Sequence, residues 1–149
     1  MKKLLIWIDD YRDPLDTEID WLVFSPIGRD IDILWVKSYD QFTKWINAHG
    51  LPDAICFDHD LGLVNHCDRV SKGMSKRQSR KLKPLEKTGH DCAKWLVEYC
   101  LDMDCELPLW NVQSSNPVGK DNINGTLNHY KNRNTDTNRR SCGIFSSSV

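Results

Sequence analysis

Two short apolar runs in this chain each end in acidic residues, and this pairing constrains the fold more than any other feature. The first run covers residues 4–8 and ends in the aspartates at 9 and 10. The second covers 54–57 and ends in the Asp-His-Asp triplet 58–60. Short apolar runs bounded by polar residues are typical of buried strands in a parallel sheet. The carboxyl ends of parallel strands open on one edge of the sheet, where such folds bind ligands. The two acidic segments are therefore predicted to lie side by side at that edge.

Carboxylates placed this close together repel each other, and their pKa values rise unless a cation lies between them. Oxygen ligands of this kind suit Mg²⁺, Mn²⁺ or Ca²⁺. For either segment alone, the alternative is helix capping, because Asp commonly caps the helix that follows a strand. Two matched segments favour a site for Mg²⁺ or Mn²⁺, with the candidate ligands Asp9, Asp10, Asp58 and Asp60.

The length and the charge distribution limit the possible partners. The 149 residues fit one domain, and the net charge of −1 predicts no partner by itself. Acidic residues dominate the first twenty positions, whereas residues 69–87 hold eight lysines or arginines and one acid, Glu86. This basic insertion, at about 63–87, is predicted to be either a solvated loop or a lid that contacts phosphates. An acidic pocket beside a basic arm suits a phosphorylated substrate.

The cysteines and the apolar runs predict the compartment. The apolar run 4–8 is too short for a signal peptide, and no run in the sequence is long enough to span a membrane. We therefore expect a cytoplasmic protein whose six cysteines are reduced. A zinc site on these thiols is disfavoured because the paired Cys-x-x-Cys spacing is missing. The Asn-rich composition and polar tail would suit a small viral protein.

The order of predicted elements indicates the fold class. Strands are predicted at about 3–8, 32–36, 54–57 and 107–112. Helices are predicted at about 39–48, after an N-cap at Thr88, and at about 120–130. This alternation predicts an α/β fold with an open parallel sheet of about four strands in the flavodoxin-like order 2-1-3-4, with helices on both faces. We expect a single domain over residues 1–132 and a flexible polar tail over 133–149.

A third strand end adds polar groups to the same edge. Ser114 and Asn116 follow the fourth predicted strand, and both side chains can hydrogen-bond a phosphoryl oxygen. The turn at Gly119 offers backbone N–H groups at a helix start, and Lys120 adds a positive charge. Ordinary turn chemistry is the alternative for Asn116 and Gly119. His59 can act as an acid or base near neutral pH, or can orient a neighbouring carboxylate.

Four blocks in the chain resemble, in order, the motifs of the cyclic-phosphate-processing receiver domain family. They lie at residues 5–14, 57–62, 88–96 and 114–123. The resemblance implies a receiver-like fold and action on cyclic phosphates of nucleotides or RNA ends. Residues that would contact the substrate or its phosphate are Arg12, Thr88, Ser114, Ser115, Asn116, Gly119, Lys120 and Asn122.

The chain departs from the family pattern at two places. Gln113 stands where a histidine is expected, and glutamine cannot shuttle a proton. The basic insertion is also longer than expected. In addition, no fifth strand carrying the lysine of two-component receivers is found. Phosphorelay signalling is therefore disfavoured, although Asp58 occupies the position of a phosphoacceptor.

These observations favour a metal-dependent phosphoesterase acting on a nucleotide or an RNA-end cyclic phosphate. His59, Asp10 and Asp58 are its predicted catalytic residues, with His59 moving the proton. The first alternative is a non-catalytic protein that sequesters a cyclic nucleotide, which Gln113 favours. The second is a receiver-like module that binds another protein through the basic insertion.

Overall fold

The computed structural model describes residues 2–16, 18–61 and 87–147, with only the backbone for 134–147. Apart from Lys87, the predicted basic insertion lies outside the described residues, so neither its loop nor its lid interpretation is tested. Within the described part of the chain, no helix combines the length and the apolar character needed to cross a membrane.

Four parallel strands form one sheet in the order β2-β1-β3-β4, as predicted. They are β1 (Lys3–Ile8), β2 (Ile31–Val36), β3 (Ala54–Phe57) and β4 (Leu109–Val112). Ile8 pairs with Val36 and with Phe57, and Phe57 pairs with Val112. The four strands therefore end at the same level. β4 begins two residues later than predicted, because Pro108 has no N–H to donate to the sheet.

Within the described residues, three α-helices follow the strands: α1 (Tyr39–His49), α2 (Gly89–Met103) and α3 (Pro117–Ser147). The predicted N-cap at Thr88 is confirmed, with a complete capping box to Asp91. α3 begins at Pro117 rather than at residue 120, which suits proline because the first helical position needs no N–H donor. The helix also continues beyond the predicted end at 130, and no proline follows Pro117 to stop it. The helix therefore crosses residue 132, the predicted boundary between the domain and the tail. The flexibility of the tail stays a prediction.

The two faces of the sheet are covered differently. Side chains from all three α-helices pack in one cluster on the same face of the sheet, together with Ile6, Ile55 and Phe57. The other face, around Leu5 and Trp7, is covered by the segment between β1 and β2, which includes a 3₁₀ helix at Trp21–Phe24. Within the described residues, the α-helices thus lie on one face of the sheet and the 3₁₀ helix lies on the other.

The connections explain this difference. The chain steps from β1 to β2 in one direction across the sheet and from β2 to β3 to β4 in the other. Right-handed crossovers therefore place the first connection on the opposite face from the later ones. That first connection contains Pro14, Pro26 and Gly28, which interrupt helix formation, so only one short 3₁₀ turn forms.

Candidate functional site

The site lies at the carboxyl ends of β1, β3 and β4, which end at the same level. The residue after each strand continues the hydrogen-bonding of the sheet for one more step. The amide of Asp9 donates to the carbonyl of Val36, that of Asp58 to Ile8, and that of Gln113 to Phe57, each at 3.0 Å. The backbone positions of these three residues are therefore set by the sheet and not by a loose loop.

Three of the predicted ligands meet in what we call the carboxylate cluster: Asp9, Asp10 and Asp58. Each offers one carboxylate oxygen, and these oxygens all lie within 4.8 Å of one another. Asp9 is 1% exposed and Asp58 8% exposed, so their charges are poorly solvated. The prediction that the two acidic segments meet is confirmed.

Asp60 is a correction to the predicted ligand set, because the structure places it outside the carboxylate cluster. The strand ends at Phe57, so the alternation that would return Asp60 to the side of Asp58 no longer holds. The Asp60 carboxylate is exposed, and its Oδ1 lies 2.9 Å from Nδ1 of His59. Its place is beside the histidine rather than among the cluster oxygens.

Asp9 is held by the turn that follows it. Its Oδ1 accepts hydrogen bonds from the amides of Tyr11 (3.0 Å) and Arg12 (2.9 Å). Its Oδ2 is buried and accepts no hydrogen bond from the described residues, and the Arg12 guanidinium lies 3.8 Å away. Burial raises the pKa of Asp9, and the hydrogen bonds, Arg12 and Gln113 oppose that rise. A buried carboxylate oxygen with no donor suits coordination of a cation.

The pKa of Asp58 is strongly perturbed. Burial, followed by the charge of Asp9, raises its pKa from 3.8 to about 7, although the Arg12 guanidinium partly opposes the rise. Three crowded carboxylates, two of them buried, repel one another, and a divalent cation among them would offset that repulsion. The carboxylate cluster could therefore hold a divalent cation.

This perturbation predicts a pH dependence of the metal-free protein. Because the pKa of Asp58 is higher in the folded than in the unfolded state, stability should fall as pH rises from about 4 to about 7. Asp58→Asn should lack the loss of stability that Asp58 causes between about pH 4 and about pH 7. At about pH 8 in EDTA, its Tm should therefore exceed that of wild type by several degrees. The two proteins should differ little near pH 4. Thermal melts across this range measure the effect, and parallel curves for both proteins would contradict it.

His59 directly follows Asp58, and its side chain has three close neighbours: Asp60, Asn116 and Gly119. Its Nδ1 lies 2.9 Å from Oδ1 of Asp60 and 3.4 Å from Nδ2 of Asn116. Its ring packs directly on Gly119 in the first turn of α3, where a Cβ atom would overlap the imidazole. The sequence predicted Gly119 as a source of backbone N–H groups, but the structure shows that its small size also makes room for the histidine.

Gly89 fixes the same segment from the other side. Its amide donates to the carbonyl of His59 at 2.8 Å, and a Cβ atom at this position would overlap the carbonyl oxygen of Asp58. This role of Gly89 was not predicted from the sequence. The available signal was a glycine in the first turn of a helix, where it weakens helix formation and so needs another reason to be present.

Gly89→Ala should therefore destabilise the fold by about 2 kcal/mol or more, since the overlapping atom is backbone and cannot rotate away. Gly125→Ala is the matched control, because Gly125 is also helical but has no atom near the position of a new Cβ. The control should be neutral or gain up to about 1 kcal/mol. Urea denaturation gives both values, and equal stability of the two variants would refute the close approach at Gly89.

The comparison with known families agrees with this arrangement. The family model described as the cyclic-phosphate processing receiver domain matches residues 4–129. The chain belongs to this family. No curated protein and no solved structure matches the chain at a comparable level of significance.

In this receiver domain, several predicted phosphate-binding groups also take part in turns and helix caps. Oδ1 of Asn116 accepts from the amide of Gly119 at 3.1 Å and so caps α3, while Oγ of Ser114 accepts from the amide of Asn116 at 3.1 Å. The Thr88 hydroxyl is part of the capping box of α2. Asn116 thus makes the cap contact expected of ordinary turn chemistry, and phosphate binding by these groups stays a prediction. The exposed members of the predicted set are Ser115, Lys120 and Asn122.

Arg12 was predicted to contact phosphate, and the structure places it inside the site as a counter-ion. Its guanidinium donates to the main-chain carbonyl of Gln113 at 3.1 Å and lies over the ring of Trp21 at 5.3 Å. Two indole N–H groups fix the turn that carries it: Trp7 donates to the carbonyl of Arg12 at 3.1 Å, and Trp35 donates to that of Asp9 at 2.6 Å. Neither tryptophan was assigned this role from sequence.

Proposed function

We propose that this receiver domain is a metal-dependent phosphoesterase that hydrolyses a cyclic phosphate on a nucleotide or at an RNA end. The observation that carries the proposal is the buried carboxylate cluster with His59 beside it at the same edge of the sheet. Family membership supports the cyclic-phosphate part of the proposal. The donor set supports the metal-dependent part, because buried carboxylates suit Mg²⁺ or Mn²⁺.

In this proposal the cluster residues hold the cation, and that cation supplies Lewis-acid polarisation and charge neutralisation. Hydrolysis bonds a water oxygen to phosphorus and breaks one ester bond of the ring, with a proton ending on the leaving oxygen. His59 moves that proton, and Asp60 orients its ring through the 2.9 Å contact at Nδ1. The exposed Ser115 and Lys120, near the start of α3, contact the phosphate, whose charge the positive end of the helix also attracts.

A second function, binding without turnover, is favoured by one observation. Gln113 occupies the end of β4, is 5% exposed, and donates from Nε2 to the carbonyl of Ile8 at 3.0 Å. A histidine at this position would add a titratable group to the site, whereas a glutamine offers no proton for transfer. A nucleotide held at the same edge would then be sequestered intact.

One assay separates the two functions. The protein is incubated with 3′,5′- and 2′,3′-cyclic nucleotides and with an RNA ending in a 2′,3′-cyclic phosphate, in Mg²⁺, in Mn²⁺ and in EDTA. Phosphorus NMR then identifies the products. Metal-dependent ring opening supports the enzyme, whereas a thermal shift with intact recovered nucleotide supports the binder. The absence of both responses for every compound would contradict both functions.

A further inference from the structure

We propose that the side-chain oxygen of Gln113 is a further ligand of the cation held by the carboxylate cluster and selects Mg²⁺ and Mn²⁺ over Zn²⁺. This inference rests on the metal site of the proposed function and adds to it a residue from the third strand end.

The side-chain amide of Gln113 lies at the edge of the sheet where β1, β3 and β4 end. Gln113 directly follows β4, and its main-chain N–H donates a hydrogen bond to the carbonyl of Phe57, the residue before Asp58. From there its side chain reaches across the end of β3 to the carbonyl of Ile8, the residue before Asp9. Its side-chain amide also lowers the pKa of Asp9, acting through its N–H as a hydrogen-bond donor to that carboxylate. Gln113 thus adjoins two members of the carboxylate cluster.

A contact with Ile8 fixes the orientation of this side-chain amide. Nε2 donates to the carbonyl of Ile8 at 3.0 Å. The reversed orientation would place Oε1 against that carbonyl oxygen, and two acceptors repel each other. The contact with Ile8 therefore determines which side of the amide carries Oε1.

The side-chain oxygen of Gln113 has no hydrogen-bond donor among the described residues, and it is buried. The same is true of Oδ2 of the neighbouring Asp9. Leaving one buried acceptor unsatisfied typically costs about 1–3 kcal/mol, so two on adjacent side chains call for an explanation. Oxygens that lack donors are suited to a cation and would repel an anion.

The chemistry of the ligand determines the selectivity. A set of carboxylate and amide oxygens prefers hard cations such as Mg²⁺ and Mn²⁺, whereas an imidazole nitrogen favours Zn²⁺. With Gln113 the site has only oxygen ligands. Replacing Gln113 with histidine would introduce a nitrogen ligand beside the same carboxylates.

The test is calorimetric titration of Mg²⁺, Mn²⁺ and Zn²⁺ into wild type, Gln113→Met and Gln113→His. Methionine keeps the length of the side chain but removes the oxygen. Gln113→Met should weaken Mg²⁺ and Mn²⁺ binding at least about tenfold, since losing even an outer-shell partner of a metal ligand typically costs that much. Gln113→His should shift the ratio of Zn²⁺ to Mg²⁺ affinity at least about tenfold towards Zn²⁺.

The matched control is Asn111→Leu on the same strand. Asn111 also donates from its amide to a main-chain carbonyl, that of Phe24 at 2.9 Å, but its oxygen already accepts from the amide of Val112 at 2.8 Å. This variant should lose stability and keep the metal affinities of wild type. If Gln113→Met does not fold, the Gln113 side-chain carbon resonance of wild type, followed during a Mg²⁺ titration, replaces it. That resonance should shift while the one of Asn111 does not.

The outcomes separate this inference from the proposed function. Wild type that binds none of the three metals would overturn the metal site and, with it, this inference. Wild-type binding that is lost in Asp58→Asn but retains its affinity and selectivity in both Gln113 variants would overturn the role of Gln113 alone. An unmoved Gln113 resonance at saturating Mg²⁺ would do the same.

Discussion

Replacing Asp58 with asparagine is expected to abolish the binding of Mg²⁺ and Mn²⁺ and, with it, any hydrolysis of cyclic phosphate. Asparagine keeps the size of the side chain and removes a charge from the carboxylate cluster. Because the crowded cluster is unfavourable without a cation, the variant should fold and gain stability while it loses affinity. Asp9→Asn should also lose metal binding, because it too removes a charge from the cluster. This variant should still fold, because the Asn oxygen can accept from the two amides that hold the side chain.

Asp60→Asn is the matched control for this prediction. It removes the same charge two residues further along the chain, from an exposed side chain outside the cluster. Its metal affinity should remain within a few-fold of wild type, because exposed charges interact weakly through solvent. Titration calorimetry measures all three variants. Undiminished binding in both Asp9→Asn and Asp58→Asn would refute the cation site.

The second large effect is expected at His59. If the domain is an enzyme, His59→Ala should lower turnover by about two to four orders of magnitude and leave nucleotide affinity nearly unchanged. The reason is that the ring is fixed beside the cluster by Asp60 and Gly119, where it can move a proton during ring opening. Single-turnover kinetics and equilibrium binding, measured on the same protein, separate the two quantities.

His129→Ala is the control, since His129 is an exposed histidine on α3 away from the ends of the strands. Added imidazole should restore part of the activity of His59→Ala if proton transfer is what was lost, and should have no effect on wild type. Strong wild-type turnover that survives His59→Ala would defeat the proton-transfer role while leaving the metal site intact.

The sequence alone determined the sheet and the meeting of the carboxylates. Apolar runs of strand length that end in acids, with helical periodicity between them, specify parallel strands in the order 2-1-3-4. Once that order is known, the ends of β1 and β3 must be neighbours, so Asp9 and Asp58 come together whatever the loops do. The positions of the strand ends can be predicted because the hydrogen bonding between parallel strands is regular.

Only the tertiary structure decided what each side chain at that edge contacts. Arg12 contacts the carbonyl of Gln113, Asp60 turns towards His59, and Gly89 and Gly119 make room for backbone and imidazole. None of these contacts follows from spacing along the chain, because each joins residues of separate elements or depends on the direction of a chain that has left the sheet. Short-range pattern therefore predicts which residues reach the site, whereas packing between elements determines the role of each residue there.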